Sequence, residues 1–152
     1  MSFFPDVDPE LSLVNKTPTN TSTEKFEAVC KKYPDQKPFW VFHGTPHKNV
    51  ESICKQGLIK TGFANSVFVT TNMLWAYGYS IPREERVRPP KSGEKRSIIA
   101  GVMINGKMRE STGLIGADAD GYDCENQGRG TIKEIFNTDL FLPIYVVELE
   151  NI

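Results

Sequence analysis

The chain has 152 residues, a formal net charge of −1 and an apolar fraction of 39% with 11% aromatics. That length fits one domain with a core of its own, and that composition excludes wholesale disorder. The near-zero charge excludes a global drive toward nucleic acid or an anionic membrane surface.

Residues 1–23 hold Pro5, Pro9 and Pro18 and a Thr/Asn/Ser cluster, so they read as an N-terminal arm or linker ahead of one domain over 24–152. No run approaches a membrane span, and the first residues lack the basic start and apolar centre of a signal segment. The expectation is a protein that acts inside a cell, with export by a specialised route left open. Thr23 to Glu27 offers a helix start, with Thr23 as N-cap and Phe26, Val29 and Cys30 on one face. Tyr33-Pro34 ends it.

Phe39-Trp40-Val41-Phe42 reads as a buried strand that delivers His43-Gly44-Thr45 at its end. Val50, Ile53 and Cys54 then follow helical spacing, and Gly57 suits a C-terminal cap. Ser66 to Thr70 is a second strand. Asn72 to Tyr79 is a helix capped by Thr71 or Asn72, and Ile81 to Arg96 is a polar loop of mixed charge stiffened by prolines. Ser97 to Ile104 is apolar enough for a central strand. A Gly- and Asp-rich stretch from Gly113 to Gly130 reads as irregular, and strands over Thr131–Phe136 and Leu140–Leu149 close the chain. Many strands with a few short helices predict an α+β domain.

Cys30, Cys54 and Cys124 share no metal-ligand spacing and read as reduced thiols, so no metal is expected. No P-loop, Rossmann glycine pattern or Ser-His-Asp arrangement is legible. The basic residues between Arg83 and Arg96 are interleaved with acids, as in a solvated loop.

The order of strand, His43-Gly44-Thr45, short helix and Gly57-Leu58 resembles the opening of the catalytic domain of poly(ADP-ribose) polymerases. The likeness extends over most of residues 38–149. It implies an ADP-ribosyltransferase fold, two packed antiparallel sheets around a cleft for NAD, with short helices. It also implies roles: His43 holds the donor ribose, Gly44 offers backbone contacts to the nicotinamide carboxamide, and Thr45 adds a hydroxyl. Phe68 falls in the family's first aromatic slot, Ala76 where a carboxamide-binding hydroxyl is expected, and Tyr79 where a tyrosine stacks on the ring. Leu142-Pro143-Ile144-Tyr145 resembles the last motif, with Ile144 at the catalytic glutamate position.

The substitutions at Phe68, Ala76 and Ile144 leave an incomplete triad, as in relatives that transfer a single ADP-ribose. Glu134 is the alternative carboxylate, although a solvated edge-strand charge is its default reading; Glu125 and Asp123 lie in a loop without an anchor. The resemblance thus implies mono-ADP-ribosyl transfer from NAD to a protein acceptor, with nucleic acid as a second acceptor class and no membrane partner. The rivals are an inactive binding module of the same fold and an NAD glycohydrolase.

Overall fold

The computed structural model describes residues 5–6, 9–57, 67–79, 96–111, 121–127 and 130–149, without the side chains of residues 10, 56 and 77–79. The expected loops 81–96 and 113–130 fall largely outside those residues. Strands β1 (Thr17–Pro18), β2 (Phe39–Pro46), β3 (Val67–Thr70), β4 (Arg96–Met103), β5 (Met108–Glu110), β6 (Cys124–Gln127), β7 (Ile132–Ile135) and β8 (Phe141–Leu149) form one sheet. Its order is β1-β8-β4-β2-β3-β7-β6-β5. Helices α1 (Pro9–Ser12), α2 (Glu24–Lys32), α3 (Val50–Gln56) and α4 (Met73–Tyr79) cover it. The domain is mixed α+β, as expected.

The expected two sheets are corrected to one, because the halves remain joined by a backbone ladder. The joint is narrow. β2 pairs with β4 over its whole length, whereas it meets β3 only at Phe42↔Thr70. β3 in turn pairs with β7 at all four of its residues. Nor is the sheet wholly antiparallel: β5 and β6 run parallel. β6 also lies inside the stretch expected to be irregular.

Every residue of β4 is buried, which explains its apolar run from Ile98 to Met103: both of its faces are covered. Alternation along β2 divides the core. Val41 joins Phe26, Ile53, Ile99 and Met103 on one face, under α2 and α3. Phe42 joins Leu11, Ala76, Ile98, Ala100 and Val147 on the other, under α1 and α4. Gly101 has to be glycine, since a Cβ there would collide with the Leu142 carbonyl and the Phe141 ring of β8.

The caps match the sequence unevenly. Asn72, rather than Thr71, caps α4: its Oδ1 accepts from Leu74 N at 2.9 Å. Gly57 ends α3 with φ +80°, donating its N–H to Ile53 O at 2.8 Å. Thr23 precedes α2, but its hydroxyl donates to Glu27 Oε1 instead of accepting from the helix backbone. Part of the expected arm packs onto the domain, through β1 and through Leu11, which has no exposed surface.

Candidate functional site

The site begins where β2 and β3 part. Continued in register, the ladder would set Gly44 against Phe68; among the described residues it stops at Phe42↔Thr70. The Phe68 carbonyl is met instead by an imidazole: His43 Nδ1 lies 3.0 Å from Phe68 O. A carbonyl only accepts, so the ring proton sits on Nδ1, and Nε2 of the neutral ring is left with a lone pair. Burial lowers the His43 pKa, against a smaller opposite effect of the bond to Phe68. The ring is therefore neutral at pH 7. A neutral imidazole with a fixed tautomer can accept an O–H at Nε2, as holding a sugar hydroxyl requires.

Gly44 is buried beside it. Thr45 is buried too, and its Oγ1 accepts from Asn49 Nδ2 at 3.3 Å, tying β2 to the turn before α3. Phe68 is half-buried. Ala76 has no exposed surface and packs among Phe42, Ile98 and Ala100, so it offers a ligand neither a hydrogen bond nor contact area. Tyr79 ends α4, and its side chain lies outside the described residues.

The structure brings His43 and Phe68 together and leaves Ile144 apart. In the sheet β8 is followed by β4, β2 and β3, so Ile144 is two strand spacings, roughly 10 Å, from the His43 strand and three, roughly 14 Å, from the Phe68 strand. Its side chain packs against the core under α2 and α3, and its carbonyl accepts Thr19 N–H at 2.9 Å. Among the described residues a hydrogen bond joins His43 to Phe68, and Ile144 stands two strands from His43 on β8.

The strand beside Phe68 is β7, and Glu134 stands directly opposite Phe68. Glu134 has no exposed surface, which overturns its default reading as a solvated charge. Its other cross-strand partner is Glu125, also fully buried. Gln127 Nε2 donates to Glu125 Oε2 and to Glu134 Oε1, both at 2.9 Å, and Arg109 Nε donates to Glu125 Oε1 at 2.8 Å. Sequence reasoning named Glu134 and Glu125 but missed the network, because Arg109, Glu125 and Gln127 lie on β5 and β6, neither of which shows hydrophobic alternation. Asp123 is anchored as well. Its Oδ2 accepts from Tyr33 OH at 2.9 Å and from Lys107 N at 2.8 Å, a structural tie rather than a catalytic one. The bond to Asp123 raises the Tyr33 pKa, with burial adding to it.

Elsewhere, an open groove of about 740 Å³ lies between α3 and residues 18–22, lined by Thr19, Asn20, Ser22, His47, Lys48 and Cys54 among others. None of the expected site residues lines it. At its edge, His47 Nδ1 is 2.7 Å from the Ser97 hydroxyl and His47 Nε2 is 3.6 Å from Glu148 Oε1. Ser97 has no exposed surface, so this chain of contacts ties strands together and presents no nucleophile. Among the described residues there is no cluster of metal-ligating side chains, and no helix is long and apolar enough to cross a membrane.

The mixed α+β domain, dominated by one eight-stranded sheet, resembles a PARP-like fold by comparison with solved structures. The chain is similar to the crystal structure of the TASOR pseudo-PARP domain, with a TM-score of 0.60 over 88% of this chain and 80% of that one. Identity is 12%, so the likeness is one of fold alone. No protein-family model and no curated protein sequence matches the chain.

Proposed function

We propose that the domain transfers a single ADP-ribose unit from NAD to a macromolecular acceptor, protein first, releasing nicotinamide. The observation that carries this reading is the His43 to Phe68 bond, which fixes a neutral imidazole at the parting of the sheet. In this mechanism His43 Nε2 accepts a ribose hydroxyl, the Gly44 backbone meets the carboxamide, and Phe68 and Tyr79 flank the nicotinamide ring. The bond from the ribose anomeric carbon to nicotinamide breaks, its electron pair leaving with the nicotinamide. The acceptor's nucleophilic atom then bonds to that carbon and loses its proton. Without a glutamate at Ile144, the acceptor's own carboxylate offsets the positive charge that develops on the sugar.

The second reading is a non-catalytic module of the same fold. Two observations favour it: Ala76 supplies no hydroxyl and is fully buried, and position 144, on β8 three strands from Phe68, holds an isoleucine with no carboxylate. The TASOR domain of similar fold is likewise described as a pseudo-PARP domain.

Adenylate-labelled NAD, incubated with the chain and a cell lysate, separates the readings. Label on protein that is lost in His43→Ala supports transfer. Free labelled ADP-ribose identifies a glycohydrolase. NAD left intact at high enzyme concentration refutes transfer and leaves the module.

A further inference from the structure

Five of the seven residues from Thr17 to Thr23 carry a hydroxyl. The stretch runs along the outer edge of β8, paired to it only at Thr17↔Val146 and Pro18↔Tyr145. Beyond β1, two hydroxyls hold it down. Thr19 Oγ1 donates to Pro143 O at 2.8 Å, beside the Thr19 N–H bond to Ile144 O. Thr21 Oγ1 donates to Cys54 O at 2.8 Å. One tie is to β8 and the other to α3, so the segment spans the groove and forms its outer wall. Thr17 and Ser22 are exposed, and no hydrogen bond ties either hydroxyl to β8 or α3.

A segment held by two strand pairs and a few hydrogen bonds belongs to the low-stability end of a domain, which opens without global unfolding. It is also extended and hydroxyl-rich, the form in which a protein kinase reads its substrate. We propose that Thr19 and Thr21 are phosphorylation sites whose modification releases residues 17–22 from β8 and α3. This inference is independent of the transferase reading. In the reaction the γ-phosphoryl group of ATP passes to the threonine Oγ1, ADP leaves, and the hydroxyl proton goes to the kinase's base. The ester has no O–H left to donate and carries about −1.5 to −2 charge at pH 7. Set against a carbonyl oxygen, it turns an attraction into a repulsion. The wall of the groove then detaches and the edge of β8 is uncovered.

The test incubates the full chain with ATP and two kinases, one directed to acidic contexts, as at Thr21 with Glu24 three residues on, and one of broad sequence tolerance that can reach Thr19. Mass spectrometry locates the phosphate, and hydrogen exchange follows the Thr19 amide, with the β4 amides as a reference. The expected result is phosphate on Thr19 or Thr21. Exchange at Thr19 then accelerates roughly tenfold, the scale of one hydrogen bond lost, while β4 is unchanged. Thr19→Val and Thr21→Val should each give part of that acceleration without kinase. Phosphate found only on Thr17, Ser22 or Thr23, or none in the folded chain, overturns the proposal. So does unchanged or increased protection at a phosphorylated Thr19 or Thr21, which would follow if Lys48 or Lys55 of the opposite wall captured the phosphate. Loss of β4 protection on phosphorylation also overturns it, because the whole domain would then have opened.

Discussion

His43 and Phe68 sit on neighbouring strands that have stopped pairing, and the imidazole of one takes the place of a ladder bond to the carbonyl of the other at 3.0 Å. The bond fixes the tautomer, and burial keeps the ring neutral. Since burial lowers the native pKa, the unfolded chain binds more protons than the native one once pH drops below about 6.5, the unperturbed histidine value. His43 therefore costs stability as pH falls through that value, until its lowered native pKa is passed, and has no effect above about pH 7. The chain has two histidines, so the ring signals are easily assigned by NMR. The prediction is that His43 titrates below 6.5. A His43 midpoint at or above that value would show the ring to be solvated and unbound.

Replacing the same ring tests the donor site. His43→Ala should weaken NAD binding by about 1–3 kcal/mol, the scale of a lost hydrogen bond and a stranded partner. Calorimetric titration of the folded variant measures it, and unchanged affinity would remove His43 from the site.

The buried pair Glu125 and Glu134 shares one amide, Gln127 Nε2, and Arg109 supplies the opposite charge. Taking one partner from a buried ion pair leaves a charge without compensation, at a cost of about 3–5 kcal/mol. Arg109→Met should therefore lower the urea midpoint sharply, and adding Glu125→Leu should recover much of the loss. If Arg109→Met alone is neutral in urea denaturation, the pair is not closed in solution.

What could be read in the sequence follows the hydrophobic pattern. β4 is apolar at nearly every position because both of its faces are covered, and β2 announces itself as an aromatic run ending at His43. Order along the chain then places His43 and Phe68 on separate strands, and the structure sets them side by side. Spatial order of the strands is not written in the chain in the same way. Leu142-Pro143-Ile144 reads as a strand and is one, yet nothing local says that β4 separates it from β2. Glu134 illustrates the same limit. In sequence it is a charge in Ile132-Lys133-Glu134-Ile135, and its burial depends on Glu125, Gln127 and Arg109, which come from β6 and β5. The narrow joint at Phe42↔Thr70, which makes one sheet where two were expected, is also a matter of tertiary packing.

Leu11 measures how far the domain extends toward its N-terminus. It is fully buried with Phe42, Ile98 and Ala100, within the 23 residues that read as an arm. Leu11→Ala should cost about 2–5 kcal/mol, the usual range for a buried leucine whose cavity does not collapse. Thermal unfolding measures it. A loss under about 1 kcal/mol would mean that the segment is displaced in solution and the domain begins near α2.

Ile144→Glu separates the sequence alignment from the sheet topology. On the alignment alone, a glutamate there restores a carboxylate beside the donor ribose and raises activity. The topology gives another answer: β8 lies beyond β4, and Ile144 packs against the core under α2 and α3. A carboxylate at that position stands roughly 10 Å from the His43 strand and roughly 14 Å from the Phe68 strand, and faces a partly apolar surface. The variant should therefore lose stability, by a few kcal/mol as a charge is pressed toward the core, and gain no NAD hydrolysis or transfer. Because Ile144 is only half-buried, the variant should still fold at low temperature, where thermal unfolding and product analysis can be run on one sample. Glu134→Gln is the companion: Glu134 lies opposite Phe68, so this change should alter any NAD-consuming activity the chain has. A gain of activity in Ile144→Glu with none lost in Glu134→Gln would show that a carboxylate on β8 reaches the donor ribose and that Glu134 has no part in the reaction.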